Sequence, residues 1–82
     1  MSQIRQLYPH IESDPEISRG QPIIAGTRMS VEIILERLAD GRSIEEVLES
    51  YPFLTREDIY AALGYAAHVI ATSVPGNVQA AS

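Results

Sequence analysis

The chain has 82 residues, enough for one domain, and a domain this small buries only about two-thirds of the surface its unfolded chain exposes, so a second copy or a partner would add to its stability. It contains no cysteine, which excludes a disulfide framework and a thiolate metal site, and no uninterrupted apolar run of about 18 residues, which excludes a spanning helix. The formal net charge is -5 and every cation is an arginine, so the broad positive field of a non-specific nucleic-acid binder is excluded and any DNA contact has to come from a local arginine patch, doubled by dimerisation.

Met1 to Leu7 is polar and reads as a frayed end, with no long apolar run after Arg5 to make a signal peptide. Tyr8 to Glu12 reads as a short strand with Ile11 inward. Ser13-Asp14-Pro15-Glu16 is turn chemistry, because Asp and Ser cap locally and Pro fixes φ. Ile17 returns to the core and Arg19-Gly20 turns again. Ile23-Ile24 is a second apolar strand, and Pro22 before it suits an edge position. Residues 8–28 are therefore expected to form a small β-ribbon.

Ser30 is a helix N-cap, followed by Val31, Ile34, Leu35 and Leu38 at helical period. This first helix runs from Val31 to Ala39 and stops at Asp40-Gly41, with Gly41 in the left-handed cap position. Ser43-Ile44-Glu45-Glu46 is a capping box that opens a second helix, with Ile44, Val47 and Leu48 inward and Tyr51-Pro52 as its stop. Thr55 opens a third helix, with Asp58 in the matching box position and Ile59, Leu63, Ala66 and Ile70 as its inner stripe. It is expected to end near Thr72. Val74 to Val78 and the small residues after it read as a flexible tail over 73–82.

The fold class this predicts is mainly α: an N-terminal β-ribbon, then a three-helix unit over 30–72 with a helix-turn-helix-like arrangement of its last two helices. The whole pattern resembles the small prokaryotic domain-of-unknown-function family 433. The residues that carry the resemblance are Asp14-Pro15, Gly20-x-Pro22-x-Ile24-x-Gly26-Thr27-Arg28-x-x-Val31 and Ala39-x-Gly41. They continue through Ser43-Ile44-Glu45-Glu46-Val47-Leu48, Tyr51-Pro52, Leu54-Thr55-x-Glu57-Asp58-Ile59-x-Ala61-Ala62-Leu63 and Tyr65-Ala66-Ala67. The resemblance implies a homeodomain-like domain with an antitoxin-like role, paired with a PIN-like ribonuclease toxin encoded beside it in a cytoplasmic toxin-antitoxin system.

The chemistry-bearing residues are few. Gly20 to Arg28 is not a phosphate-cradling loop, because the glycine spacing is wrong and no lysine follows. Its glycines are read as turns and Ile23-Ile24 as packing. Thr27, Arg28 and Arg42 are the candidate DNA-binding residues, Arg28 through a bidentate phosphate contact; a bridge from Arg28 to Glu32 is the structural alternative. The third helix lacks the Arg, Lys, Asn or Gln of a base reader between Glu57 and Ala67, and Glu57 and Asp58 at its start repel phosphate. Tyr60, Ala61, Gly64 and Tyr65 form the candidate partner-binding face, since tyrosines anchor interfaces and a glycine admits another backbone. The alternative is that these tyrosines pack under the β-ribbon or the tail.

His10 and His68 have no companions at metal-ligand spacing, and His68 is read as favouring the negative end of its helix. No cofactor, metal or catalytic group is expected. The functional expectation is an antitoxin-type module that neutralises its toxin and represses its own operon by binding operator DNA, with no membrane partner. The apolar ribbon edge at Ile23-Ile24 and the exposed face of the third helix predict a homodimer, in which a ribbon from each protomer pairs and hides two edges. The alternatives are a DNA-binding regulator without a toxin, or a structural adaptor.

Overall fold

The computed structural model describes residues 3–73. Three short strands come first: β1 (Arg5–Tyr8), β2 (Ile11–Ser13) and β3 (Ile23–Ile24), with a 3-10 turn at Ser18–Gly20 between the last two. Three helices follow, α1 (Val31–Ala39), α2 (Ile44–Ser50) and α3 (Arg56–Ser73). The sheet is antiparallel throughout with β2 in the centre, in the order β1-β2-β3.

The N-terminal segment read as frayed contains β1. Gln6 pairs with Glu12 and Tyr8 with Ile11, with a register shift between Gln6 and Tyr8. The strand expected over Tyr8 to Glu12 is thus the bend of a hairpin. Pro9 sets the turn, and His10 completes it at φ 71, the left-handed position a type II turn requires. The stretch 18–20 is also left-handed, with Ser18, Arg19 and Gly20 all at positive φ. The Ser13 hydroxyl donates to the Gly20 carbonyl at 2.7 Å and ties this turn to β2.

β3 does not present a bare outer edge. After a tight turn at Gly26 (φ 78) the chain doubles back alongside it: Ile24 N–H donates to Met29 O at 2.9 Å, and Val31 N–H donates to Pro22 O at 3.0 Å. An antiparallel bridge joins Ile23 to Ser30. The Ile23-Ile24 edge expected to pair with a second copy is therefore covered by the chain's own residues 29–31. Both isoleucines are buried.

The helix starts and stops follow the caps. Ser30 accepts the N–H of Ile33 at 3.4 Å, a weak cap at the start of α1. At its end the Gly41 N–H reaches Leu38 O at 3.0 Å and the Arg42 N–H reaches Arg37 O at 3.2 Å, the Schellman pair, with Gly41 at φ 95. The α2 capping box is complete: Glu46 N–H donates to Ser43 Oγ at 3.1 Å and Ser43 N–H to Glu46 Oε1 at 2.9 Å. Thr55 and Asp58 form the same reciprocal pair at α3, at 3.1 and 3.0 Å. Each such cap contributes about 1 kcal/mol.

The core lies where β2, β3 and the three helices converge. Ile11, Ile23, Ile24, Ile34 and Ile59 are fully buried, with Val47 and Leu54 beside them. Burial of each isoleucine contributes about 2–3 kcal/mol. The buried positions of α3 are Asp58, Ile59, Ala61 and Ala62, so the stripe expected through Leu63 and Ile70 is displaced. Leu63 and Ile70 face out, at 42 % and 63 % exposed. The inner face is the one packed against β2, α1 and α2. The expected tail lies outside the described residues from 74 onward, as do Met1 and Ser2.

Candidate functional site

Thr27 is part of a turn. Its hydroxyl donates to Ile24 O at 2.8 Å and accepts the Met29 N–H at 2.9 Å, closing the loop over β3. Arg28 beside it is exposed. Among the described residues the ion pairs are His10–Asp58 and Arg56–Glu45, so the alternative bridge from Arg28 to Glu32 does not form. Arg42 is exposed beyond the other end of α1. Nine helical residues rise about 13 Å. The two arginines therefore bracket the helix and do not converge on one phosphate.

The candidate face on α3 divides in two. Tyr60 points out and is 54 % exposed. Ala61 is buried in the core, and Gly64 and Tyr65 are half-covered. What covers them is Tyr8: its ring meets Tyr65 edge-on with centroids 6.0 Å apart, and a Cβ at position 64 would lie 2.7 Å from the Tyr8 hydroxyl oxygen. The packing alternative thus holds for Tyr65 and Gly64. His68 also stacks on Tyr8, with ring centroids 5.6 Å apart, and lies before the last turn of α3 as described, away from the negative helix end it was expected to favour.

The outward line of α3 is Arg56, Tyr60, Leu63, Ala67 and Ile70, every one exposed and spaced four and three residues in alternation. That is the seam spacing of a helix that packs against another. From Ile59 onward the sequence carries no Asp, Glu, Lys or Arg, so nothing charged interrupts the seam past Arg56. The signal was legible in the sequence, but assigning Leu63 and Ile70 to the core concealed it. Phe53, 58 % exposed and edge-on to Tyr51, adds an aromatic at the α2–α3 connection.

At the seam's near end, Arg56 Nη2 donates to Glu45 Oε2 at 2.7 Å. This hydrogen bond, more than the charge itself, holds the Glu45 carboxyl below the ordinary glutamate range. Glu45 and then Tyr60 push the Arg56 guanidinium up. Both side chains are exposed, so the pair orients side chains more than it stabilises the fold.

A second surface lies on the other flank of α3. Its distal half and the outer side of α1 enclose an open, mostly apolar groove of about 650 Å³, with Leu35 on the α1 wall and Val69 and Ile70 on the α3 wall.

Sequence reasoning did not bring His10 and Asp58 together. Asp58 Oδ1 lies 3.2 Å from His10 Nδ1, while Oδ2 accepts the Thr55 N–H. The carboxylate is 13 % exposed and the imidazole 52 %. One residue thereby caps α3 and holds the β1–β2 turn. Among the described residues no group of three acidic, His or Cys side chains is placed to hold a metal ion, and no helix is long and apolar enough to cross a membrane.

The family model for a protein of unknown function, DUF433, matches residues 11–66. The chain belongs to the DUF433 family. An uncharacterized protein, y4eO, from Sinorhizobium fredii (strain NBRC 101917 / NGR234) is 39 % identical over 56 residues, which cover 68 % of this chain and 25 % of that protein. The chain thus spans about a quarter of that relative's length. No solved structure matches it. The DUF433 match takes in β2, β3, α1, α2 and α3 as far as Ala66, and leaves β1 and the distal end of α3 outside.

Proposed function

We propose that this DUF433 chain is a small cytoplasmic protein-interaction module of antitoxin type, without catalytic activity, whose partner is a PIN-like ribonuclease toxin. The observation that carries an interaction role is the outer surface of α3, where Tyr60, Leu63 and Ile70 stand exposed along a helix with no Asp, Glu, Lys or Arg after Asp58. Interface centres are poor in charge and rich in aromatic and apolar side chains, and exposed apolar residues in one line mark a contact surface more than scattered ones do. The resemblance supplies the class of partner.

The test is co-expression with the PIN-like nuclease encoded beside it, followed by isolation of the complex and an RNA-cleavage assay. The expected result is a stoichiometric complex and loss of cleavage. Tyr60→Asp and Leu63→Asp, both at exposed positions, should each restore cleavage while the chain stays folded. A nuclease fully active in the presence of excess folded chain overturns the reading.

A second reading is favoured by Arg28 and Arg42, two exposed cations that bracket α1 and have no ion-pair partner among the described residues. In it the chain contacts operator phosphates through these arginines, α2 and α3 stand in helix-turn-helix-like relation, and a dimer doubles the contacts. Since the β3 edge is covered, that dimer has to form elsewhere, and α3 is the available surface. Binding to its own promoter would weaken steeply with salt; a flat salt dependence removes this reading.

A further inference from the structure

We propose that the groove between α1 and the distal half of α3 is a docking site for one amphipathic helix of a partner, apolar on one face and carrying two arginines or lysines four residues apart along one flank. This rests on the interaction-module reading and narrows it to a surface and a partner chemistry.

The two walls of the groove are helices of this chain. Val31, Leu35 and Ala39 supply the apolar part of the α1 wall at helical spacing, and Ala66, Val69 and Ile70 that of the α3 wall. A third helix laid between two others is the shape such a trough accepts, read through anchors three and four residues apart. The α1 wall, at nine residues, sets a contact of about two and a half turns.

The rim decides the occupant. Its α1 side carries Glu32 and Glu36, one turn apart, both exposed and neither in an ion pair among the described residues. The α3 side carries no charged residue. The charge of the site is therefore one-sided and negative, and a complementary helix is cationic on the flank that meets α1. A second copy of this chain does not supply that helix. Its exposed apolar helix, α3, has Arg56 as its sole cation, far from the distal half, and two copies would bring together a net charge of -5 each.

The test uses a synthetic helical peptide of about 14 residues with Leu and Ile on one face and Arg at two positions four apart on one flank. Its control carries Glu at those two positions. Binding of each to the full chain is read by fluorescence anisotropy. The Arg peptide should bind about tenfold tighter than the Glu peptide, the effect of two rim ion pairs. Glu32→Arg with Glu36→Arg, both at exposed positions, should reverse that preference. Ile70→Asp, at an exposed position on the α3 wall, should abolish binding of both peptides without loss of helical circular dichroism.

No binding of either peptide at millimolar concentration overturns the proposal, and equal binding overturns its charge component. A dimer in sedimentation that Val69→Asp, on the groove wall and off the seam, converts to monomer gives the groove to a second copy and overturns it. Contacts between Val78 methyls and Leu35 or Ile70 in the NMR spectra of the full chain give it to the chain's own end and overturn it as well. If the nuclease is bound and inhibited while the peptides are not, the interaction reading stands and the groove assignment falls.

Discussion

The Tyr8 hydroxyl oxygen lies where a side chain at Gly64 would have to begin: a Cβ there would sit 2.7 Å from it and 3.2 Å from the ring. Gly64 is in the interior of an 18-residue helix, where alanine is favoured by about 1 kcal/mol. Against that stands the Tyr8 ring, wedged between Tyr65 and His68, which fastens β1 to α3. Forcing one methyl into such a contact costs about 1–3 kcal/mol. Gly64→Ala is therefore expected to lower stability by about 1 kcal/mol in the native background. In a Tyr8→Ala background the clash is gone and the same substitution should raise stability by about 1 kcal/mol. Urea unfolding of the four proteins measures both, and an unchanged sign would mean that Tyr8 does not hold this position.

Asp58 joins the ends of the molecule that sequence keeps apart. Asp58→Ala removes the acceptor of the Thr55 N–H and the partner of His10 together, and the expected loss is about 2–3 kcal/mol, the sum of a cap and a part-buried polar contact. Asp58→Asn keeps an acceptor for Thr55 and should lose about half as much. His10→Ala should cost less than Asp58→Ala, since the imidazole is half in solvent. Equal losses for His10→Ala and Asp58→Ala would put the whole effect in the histidine contact and none in the cap.

How legible these features were depended on distance along the chain. The bounds of α1 and the start of α2 are written locally, in Ser30, Gly41 and the Ser43–Glu46 box, and the structure places them at the residues so marked. β1 is not written locally. Arg5 and Gln6 look like a solvated end, and what makes this segment a strand is the packing of Tyr8 on α3, more than fifty residues away. The inner face of α3 was misread for a related reason. Its sequence is apolar on two sides, so periodicity alone did not separate the buried line through Ile59 and Ala62 from the exposed line through Leu63 and Ile70. Contacts with β2, α1 and α2 decide it, and β2 and α1 are distant in sequence. The candidate partner residues Ala61, Gly64 and Tyr65 fell on the covered side of that division, while Tyr60 stayed outside. The His10–Asp58 contact spans 48 positions, and no local pattern announces it.

The Arg56–Glu45 pair gives a pH expectation. The folded-state pKa of Glu45 is lowered, first by its hydrogen bond from Arg56. A lowered carboxylate pKa means that the pair's contribution is present above the unfolded-state value and is lost as pH falls through the folded-state value. In a carbon-detected NMR titration, the Glu45 carboxyl should therefore have its midpoint below the ordinary glutamate range. In Arg56→Ala the midpoint should move up towards that range, with the backbone hydrogen bond still holding part of the displacement, whereas Arg42→Ala should leave it in place. Because both side chains are exposed, raising the salt concentration should shrink the displacement. A midpoint indifferent to Arg56 would show that the pair does not persist in solution.

Thr27 and Arg28 are adjacent, yet they should answer to different assays. The Thr27 hydroxyl both donates to Ile24 O and accepts from Met29 N–H, so Thr27→Val, nearly the same shape, leaves the Met29 N–H without its acceptor, while Ile24 O keeps the Thr27 N–H at 3.0 Å. The expected loss is about 1–2 kcal/mol, and Thr27→Ser should recover most of it. Arg28 is exposed and in no ion pair among the described residues, so Arg28→Ala should change stability by less than about 0.5 kcal/mol. Promoter binding inverts this order. If the arginines that bracket α1 touch phosphate, Arg28→Ala and Arg42→Ala each reduce the slope of log affinity against log salt by about 1, whereas Thr27→Ser leaves it unchanged. Loss of promoter binding in Thr27→Ser with the Arg28→Ala slope unaltered would place the nucleic-acid contact in the turn instead of the arginine.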